Sequence, residues 1–510
     1  MSKQFNRSQL QTSEDSSSHI SQRSQRVPVD KHGLPDAGNQ SNDHYKTRLS
    51  PLRYKLRTAL LPYIRAETAI LYKLQTKLRH PTLDFYFAWT ANLASHTFYV
   101  LMLPPPLWFG ASKLARDLVY VLGFGIYFTG FLKDFFCLPR PRSPPLHRIT
   151  MSSYTTQEYG FPSSHAANAT AVTLILLGKL IEIRSDLSFL VFNTSLAGLL
   201  IYYLSLIFGR LYCGMHGFLD ILIGSCVGIT CFSFRQFYGN QWDDLLFNNS
   251  LNIFITPILI IMGYISLIHY HSEPIDDCPC FDDSVAFVGV LIGLDLSHYV
   301  GVKTQYLAER NPYHDAVMIN YDFNKLGVIK SFIRFLMGVI LVVIWKAVSK
   351  PIIYTILPPI YKFIGIYLPR HNYIPTALTT NSNRQIRSAS ISNDKSGIGD
   401  INTFLNALTD HENVDEVGPE TDIDYYAMLD YKKNQQQKNY SSSSSSSSTT
   451  ATNNKGNGSV PEDDITLMKT SGVFKPRYDV EIVGRLIVYA GVATTAVWGF
   501  ALTTELIGLN

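Results

Sequence analysis

The chain has 510 residues, 44 Lys and Arg against 40 Asp and Glu, and a mean hydropathy of +0.05. That near-neutral average hides very polar ends and a strongly apolar middle, so a plain soluble globule is a poor description. The formal charge of +4 comes from basic residues that flank apolar blocks and form no stripe with aromatics, which argues against nucleic-acid binding. Six cysteines give no disulfide framework.

Residues 1–50 are rich in Ser, Gln and Asn, lack apolar periodicity and are expected to be disordered. They contain no apolar h-region, so no cleavable signal peptide is expected and the first span must act as the insertion signal. Residues 51–80 differ. Leu52, Leu56, Leu60, Ile64, Ile70, Leu71, Leu74 and Leu78 recur at roughly helical spacing, among Arg53, Lys55, Arg57, Arg65, Lys73, Lys77 and Arg79. This reads as an amphipathic helix on a membrane surface; the bland reading is a helix packed on the protein's own loops.

A membrane core is expected over 81–302 and further spans over 303–370. The apolar stretches are 83–103, 114–132, 166–183, 187–208, 218–234, 251–268, 284–300, 329–345 and 485–502. Each approaches the ~20 residues that cross a ~30 Å hydrocarbon layer, which makes an all-α polytopic bundle of about nine spans. A tenth stretch, 352–368, is interrupted by Pro358 and Pro359 and is expected to be short or interfacial. Residues 371–480, with the serine run from Ser441 to Ser448, cannot bury a core and are expected to be disordered. Residues 481–510 return to the membrane.

Chemistry-bearing residues cluster at the ends of these spans, where Arg, His and Asp are costly. In the run from Arg210 to Asp220, His216 and Asp220 are four apart, which places a carboxylate on the imidazole's helix face. That pairing orients the ring and suits a histidine nucleophile. Arg210 offers a fork of donors matched to phosphate oxygens. Lys133 and Arg140-Pro141 precede it, followed by Pro162-Ser163-Ser164-His165. Lys133, Arg140 and Arg210 make an anion cradle, and His165 supplies a proton donor. Ser163 and Ser164 add phosphate donors; the bland role of Ser163 is to cap a helix. No convergent carboxylates call for a metal, and no cofactor is expected.

Taken singly, each residue has an ordinary explanation. Lys133 could be a snorkelling lysine, Arg140 and Arg142 a headgroup-binding loop, and His216 a structural histidine. His147 reads as incidental. Asp295 and His298, deep in a late span, fit a helix-to-helix hydrogen bond better than a substrate groove. Cys278 and Cys280 fit a free or oxidised loop pair better than a metal site, and Cys226 and Cys231 read as small apolar residues.

Together the three clusters resemble the type-2 phosphatidic acid phosphatase (PAP2) superfamily, whose pattern is Lys-x6-Arg-Pro, Pro-Ser-Gly-His and Ser-Arg-x5-His-x3-Asp. The chain departs from it at Ser164, in place of Gly, and at Gly209, in place of the Ser before the arginine. Restoring Ser at 209 is expected to be tolerated and to strengthen phosphate binding. The stretches Cys137 to Pro145 and Tyr212 to His216 further resemble the sphingosine-1-phosphate phosphatase branch, in particular fungal long-chain-base phosphate phosphatases. The resemblance runs from about Leu56 to Val300. It implies a PAP2-like helical core and metal-independent phosphate monoester hydrolysis through a phospho-histidine, with His216 attacking, Asp220 orienting it and His165 serving as acid then base.

A site at span ends meets lipid headgroups while the chains stay in the bilayer, so the residues alone indicate a lipid phosphate. Only the resemblance implies dihydrosphingosine or phytosphingosine 1-phosphate and an endoplasmic reticulum address. A broad phosphatidate phosphatase and a polyprenyl diphosphate phosphatase share all three motifs. A transporter or scaffold with a retained cradle is the non-enzyme alternative, disfavoured because binding alone needs no nucleophile with an orienting carboxylate. Orientation is contested by charge. The loop near Cys278 falls on the site's side and is acidic, whereas 303–330 falls opposite and is basic, which places the site in the lumen. The basic residues of the N-terminal region argue the other way.

Overall fold

The computed structural model describes residues 36–151, 158–247, 253–276, 278–304, 319, 321–364, 478 and 480–509. Among them there are helices and no strands. In chain order the helices are α1 (Asn42–Lys46), α2 (Pro51–Leu78), α3 (Pro81–Ala91), α4 (His96–Met102), α5 (Pro104–Trp108), α6 (Ser112–Phe136) and α7 (Ser164–Glu182). There follow α8 (Phe189–Tyr212), α9 (Phe218–Phe247), α10 (Ile255–Tyr270), α11 (Cys280–Thr304), α12 (Phe323–Ile364), α13 (Val480–Thr494) and α14 (Phe500–Ile507).

Seven helices or helix pairs are long and apolar enough to cross a membrane: α6, α7, α8, α9, α11, α12 as far as Tyr361, and α13 continued through α14. The expected count of about nine spans meets these seven plus two shorter pieces. One is α10, with 16 residues. The other is the expected first span, 83–103, which is not one helix. Ser95 caps α4 by accepting from the Phe98 N–H, and the prolines from Pro104 start α5 anew. The stretches 329–345 and 352–368 are a single helix through Ile364, since Pro351, Pro358 and Pro359 sit inside α12 without ending it. Residues 365–368 lie outside the described residues.

The antiparallel succession of α6, α7, α8 and α9 puts the C-terminal ends of α6 and α8 and the N-terminal ends of α7 and α9 at one end of the bundle. Their shared core contains Leu118, Val121, Leu122, Ala169, Val172, Leu206 and Cys231. At the opposite end Arg235 braces the bundle. Its Nε lies 2.7 Å from Asp117 of α6, and its two terminal nitrogens each lie 2.8 Å from Asp243. A second core joins α6, α10, α11, α12 and α13. Inside it Asp295 of α11 accepts hydrogen bonds from Tyr120 of α6 and Tyr264 of α10, which fixes its role as a helix-to-helix tie. His298 Nδ1 bonds the Leu294 carbonyl of its own helix at 2.9 Å. Gly289 and Gly293 of α11 bring α13 to backbone contact; a Cβ at Gly293 would lie 2.0 Å from the Ala490 carbonyl.

Two expectations for the N-terminal part change. Residues 36–50, counted with the disordered stretch, are packed: Tyr45 is fully buried and donates to Asp276 at 2.6 Å, and the Gly38 N–H donates to the same carboxylate at 2.7 Å. Asp276, held below the usual carboxylate range by His44, Tyr45 and the Gly38 N–H against the opposing effect of burial, gives this polar segment the partner that its composition does not supply. Helix α2 lies across the protein's own loops. Arg53 donates to the carbonyls of Phe135 and Asp134, Arg57 to those of Cys137 and Gly38, and Gln75 to those of His147 and Tyr212. Arg53 and Arg57, expected to face lipid headgroups, are thus used internally, while Leu52, Tyr63, Ile70 and Tyr72 stay exposed. Residues 371–477, with the serine run, lie outside the described residues.

Candidate active site

The site is built where four helix ends meet under α2. Helix α6 stops at Phe136, and Cys137 turns the chain in the left-handed region with φ 50°. Lys133, in the last turn of α6, is thereby aimed at the next loop. Its Nζ lies 2.6 Å from Glu158 Oε2 and 3.4 Å from Ser164 Oγ. Arg140 is buried and fully engaged. Its Nη1 donates to the Met215 carbonyl at 3.0 Å and to His216 Nε2 at 3.1 Å. Its Nε donates to the Glu158 carbonyl at 3.1 Å, and Nη2 lies 3.3 Å from Glu158 Oε2. Burial lowers its pKa to about 10, still protonated at neutral pH.

His216 sits in the short connection between α8 and α9, almost fully buried. Its Nδ1 is 2.9 Å from the Gly160 carbonyl oxygen, which can only accept, so Nδ1 carries the proton. That leaves the lone pair on Nε2, the nitrogen facing Arg140. Burial, and behind it Arg140, Lys133, His165 and Arg210, holds the imidazole well below its ordinary pKa. The neutral ring keeps its lone pair on Nε2, as a histidine nucleophile requires.

Asp220 occupies the first turn of α9 with no exposed surface. Its Oδ2 accepts from the Gly217 N–H at 2.7 Å and lies 3.7 Å from His216 Nδ1. The carboxylate is close enough for electrostatics, but the hydrogen bond that sets the tautomer comes from Gly160. The Asp220 carbonyl accepts from the Ser163 N–H at 3.0 Å, which ties the start of α9 to the start of α7. Ser163 caps α7, its Oγ accepting from the Ala166 N–H at 3.3 Å. Ser164 faces Lys133, and His165 follows in the first turn of α7, at the end of the helix that favours an anion. Arg210, in the last turn of α8, is buried and its Nε has no hydrogen-bond partner among the described residues.

The structure thus brings Lys133, Arg140, Ser163, Ser164, His165, Arg210, His216 and Asp220 to one end of the bundle. Three further contributors lie outside the motifs. Glu158 sits on two of the cradle's cations. The Gly160 carbonyl holds His216. Glu67 of α2 accepts from the Leu219 N–H at 3.0 Å, beside Asp220. A polar glutamate just ahead of the Pro162 motif is a sequence signal for the first; nothing in the sequence marks a backbone carbonyl or a contact made by α2. His147 meets Gln75 through its backbone alone in the bonds described, in keeping with an incidental side chain. Gly209 faces the Phe87 ring, where a Cβ would lie 3.0 Å from it, and not the cradle. Cys278 and Cys280 are joined in a disulfide, so with Asp134 nearby they offer no thiolate pair to a metal.

Residues 114–242, which hold every motif, match the PAP2 superfamily. The dihydrosphingosine 1-phosphate phosphatase YSR3 of Saccharomyces cerevisiae is 42% identical over 337 residues, covering 65% of this chain and 79% of that protein. A dihydrosphingosine 1-phosphate phosphatase of Schizosaccharomyces pombe is 36% identical over 361 residues, 71% of this chain and 82% of the relative. Lipid phosphate phosphatase delta of Arabidopsis thaliana is 26% identical over 332 residues, 63% and 76% of the two chains. No solved structure matches the chain.

Proposed function

The chain belongs to the PAP2 superfamily, and on that premise we propose that it is a multi-pass membrane phosphatase that hydrolyses sphingoid long-chain-base 1-phosphates to the free base and phosphate. The observation that carries the reading is the buried His216 with its proton on Nδ1 and its Nε2 facing a cradle of fixed cations. The substrate class rests on two relatives, each named for dihydrosphingosine 1-phosphate and each covered over more than two thirds of its length.

Lys133, Arg140 and Arg210 bind the equatorial phosphate oxygens, assisted by Ser164 and the N-terminal N–H groups of α7, and stabilise the charge that spreads over them as the bond order changes. His216 Nε2 attacks phosphorus, and the P–O bond to the sphingoid C1 oxygen breaks. His165 gives its proton to the departing alkoxide. The resulting imidazolium of His216 is stabilised by the neighbouring Asp220 carboxylate. Neutral His165 then takes a proton from water, the hydroxyl adds to phosphorus, the P–N bond breaks, and inorganic phosphate leaves. Side-chain cations supply the charge that a metal supplies elsewhere.

We place the enzyme in the endoplasmic reticulum membrane with the site facing the lumen. The acidic loop beside Cys278 lies at the site's end of the bundle, and Lys303 and Lys325 lie at the other. Arg53 and Arg57, which argue for the opposite orientation by count, are taken up by backbone carbonyls.

The test is full-length protein purified in detergent and given dihydrosphingosine 1-phosphate, phosphatidate and a polyprenyl diphosphate, each with EDTA. Phosphate release is expected to be fastest from the sphingoid base. Equal turnover of all three would make it a broad lipid phosphatase, and binding without release would make it a scaffold.

A further inference from the structure

Glu158 poses a chemical question that phosphate binding does not answer. Its Oε2 lies 2.6 Å from Lys133 Nζ and 3.3 Å from Arg140 Nη2, so a carboxylate holds donors that a substrate phosphate needs. Held on the same two cations, the carboxylate and an incoming phosphate repel each other, and the phosphate, with more charge and more oxygens, displaces the carboxylate. Glu158 cannot go far. Its carbonyl is held by Arg140 Nε at 3.1 Å, and two residues on Gly160 is pinned by its N–H to the Leu138 carbonyl at 2.9 Å and by its own carbonyl to His216. With its side chain only 13% exposed on Lys133 and its backbone held, the displaced carboxylate has little water to move into and stays close to the bound phosphate. A carboxylate in that position costs binding energy unless a cation replaces those it has lost.

A sphingoid base 1-phosphate brings that cation. Its protonated amine sits on the carbon next to the one that carries the phosphate. Phosphatidate and polyprenyl diphosphates have no ammonium there. We propose that Glu158 is a specificity-determining residue that exchanges Lys133 and Arg140 for the substrate's ammonium as the phosphate takes its place in the cradle. The exchange preserves charge pairing for a sphingoid base phosphate and leaves a stranded carboxylate against any lipid phosphate without an amine. Selectivity thus comes from a favourable contact and from a penalty on competitors. The inference deepens the sphingoid phosphatase reading and rests on it.

The experiment compares kcat/KM for dihydrosphingosine 1-phosphate and its N-acetyl derivative, presented to full-length protein in the same mixed micelles. The derivative keeps the phosphate ester and loses the positive charge. Wild type is expected to prefer the free amine by about tenfold or more, the size of a charge-assisted hydrogen bond. Glu158→Gln is expected to bring the ratio down by about the same factor, toward unity, and Glu158→Asp to keep a reduced preference in the same direction. A wild-type ratio of one overturns the proposal whatever the variants do. So does a Glu158→Gln ratio equal to wild type's, whether both rates rise, as for a simple plug, or both fall, as for a brace. Failure of wild type to release phosphate from either lipid is a different result, which overturns the phosphatase reading itself.

Discussion

The Gly160 carbonyl oxygen lies 2.9 Å from His216 Nδ1, and this one backbone contact puts the proton on Nδ1 and leaves the lone pair on Nε2. Its position depends on how tightly the loop before α7 is laid on the loop after α6. A Cβ at Gly160 would lie 2.7 Å from the Pro139 carbonyl oxygen and 2.8 Å from the Arg140 backbone. Gly160→Ala must therefore push the two loops apart and carry His216 and Arg140 with them. We expect kcat/KM to fall by about a hundredfold, the usual cost of misplacing a reacting group by ~1 Å, while the helical spans stay folded. A detergent melting curve beside the kinetics checks both halves. Near-normal activity would mean that His216 does not take its orientation from Gly160.

Removing the nucleophile and removing its carboxylate neighbour should differ in degree. His216→Ala is expected to abolish phosphate release. Asp220→Asn keeps an oxygen for the Gly217 N–H and leaves the Gly160 contact in place, so only the stabilisation of the imidazolium is lost. A drop of roughly 10²- to 10⁴-fold is expected, the range for groups that assist proton and charge transfer. Trapping the phospho-enzyme with labelled substrate separates the roles: label should persist in Asp220→Asn and be absent from His216→Ala.

Arg210→Lys keeps the charge and loses the planar fork. Arg210 Nε has no hydrogen-bond partner among the described residues, which leaves a buried donor that the proposed phosphate site can use. The variant is expected to raise KM and weaken vanadate inhibition together, each by about tenfold or more. Unchanged vanadate affinity would assign Arg210 to structure.

The pH profile follows from the burial of His216. Protonation removes the attacking lone pair, and burial followed by Arg140 and Lys133 lowers the pKa, so the neutral ring survives to lower pH than an ordinary imidazole. The acid limb of kcat/KM should therefore fall below pH ~6.5, the unperturbed value. Rates measured from acid to neutral pH in EDTA test this and the proposed metal independence together. An acid limb above that value would contradict a buried neutral nucleophile, and a collapse in EDTA reversed by Mg²⁺ would sink the side-chain cradle.

Gly209→Ser looks from the motif like restoration of a phosphate donor. Its Cβ points at Phe87 of α3 instead, at 3.0 Å, so the hydroxyl would press on an aromatic ring. The expected outcome is a lower melting temperature by a few degrees, in line with the ~1–3 kcal/mol of overpacking, and no gain in vanadate affinity. Tighter vanadate binding would show that the residue reaches the cradle.

The contrast at 209 marks what the sequence can convey. Lys133, Arg140, His165, Arg210 and His216 were legible because apolar spans confine polar chemistry to their ends, and because spacing along a span fixes which end. The all-helical architecture was legible for the same reason. Side-chain direction at Gly209 was not, since it depends on how α3 meets α8. The docking of α2 was hidden because a helix with arginines on one face and leucines on another suits a bilayer surface and a bed of backbone carbonyls equally well. Residues 36–50 misled because their anchor, Asp276, lies far along the chain. The break in the segment from Pro81 to Trp108 was written in Ser95 and Pro104, but average hydropathy does not register a cap.

The close seating of α13 on Gly289 and Gly293 also sets an order of events during synthesis. Helix α11 enters the membrane with a notch shaped for a partner at the far end of the chain, and the long polar stretch between them must be translated first. Until then the second core is missing one of its walls. The second core closes only when α13 has been made, so the half of the bundle that holds every motif can be inserted while that core is still open.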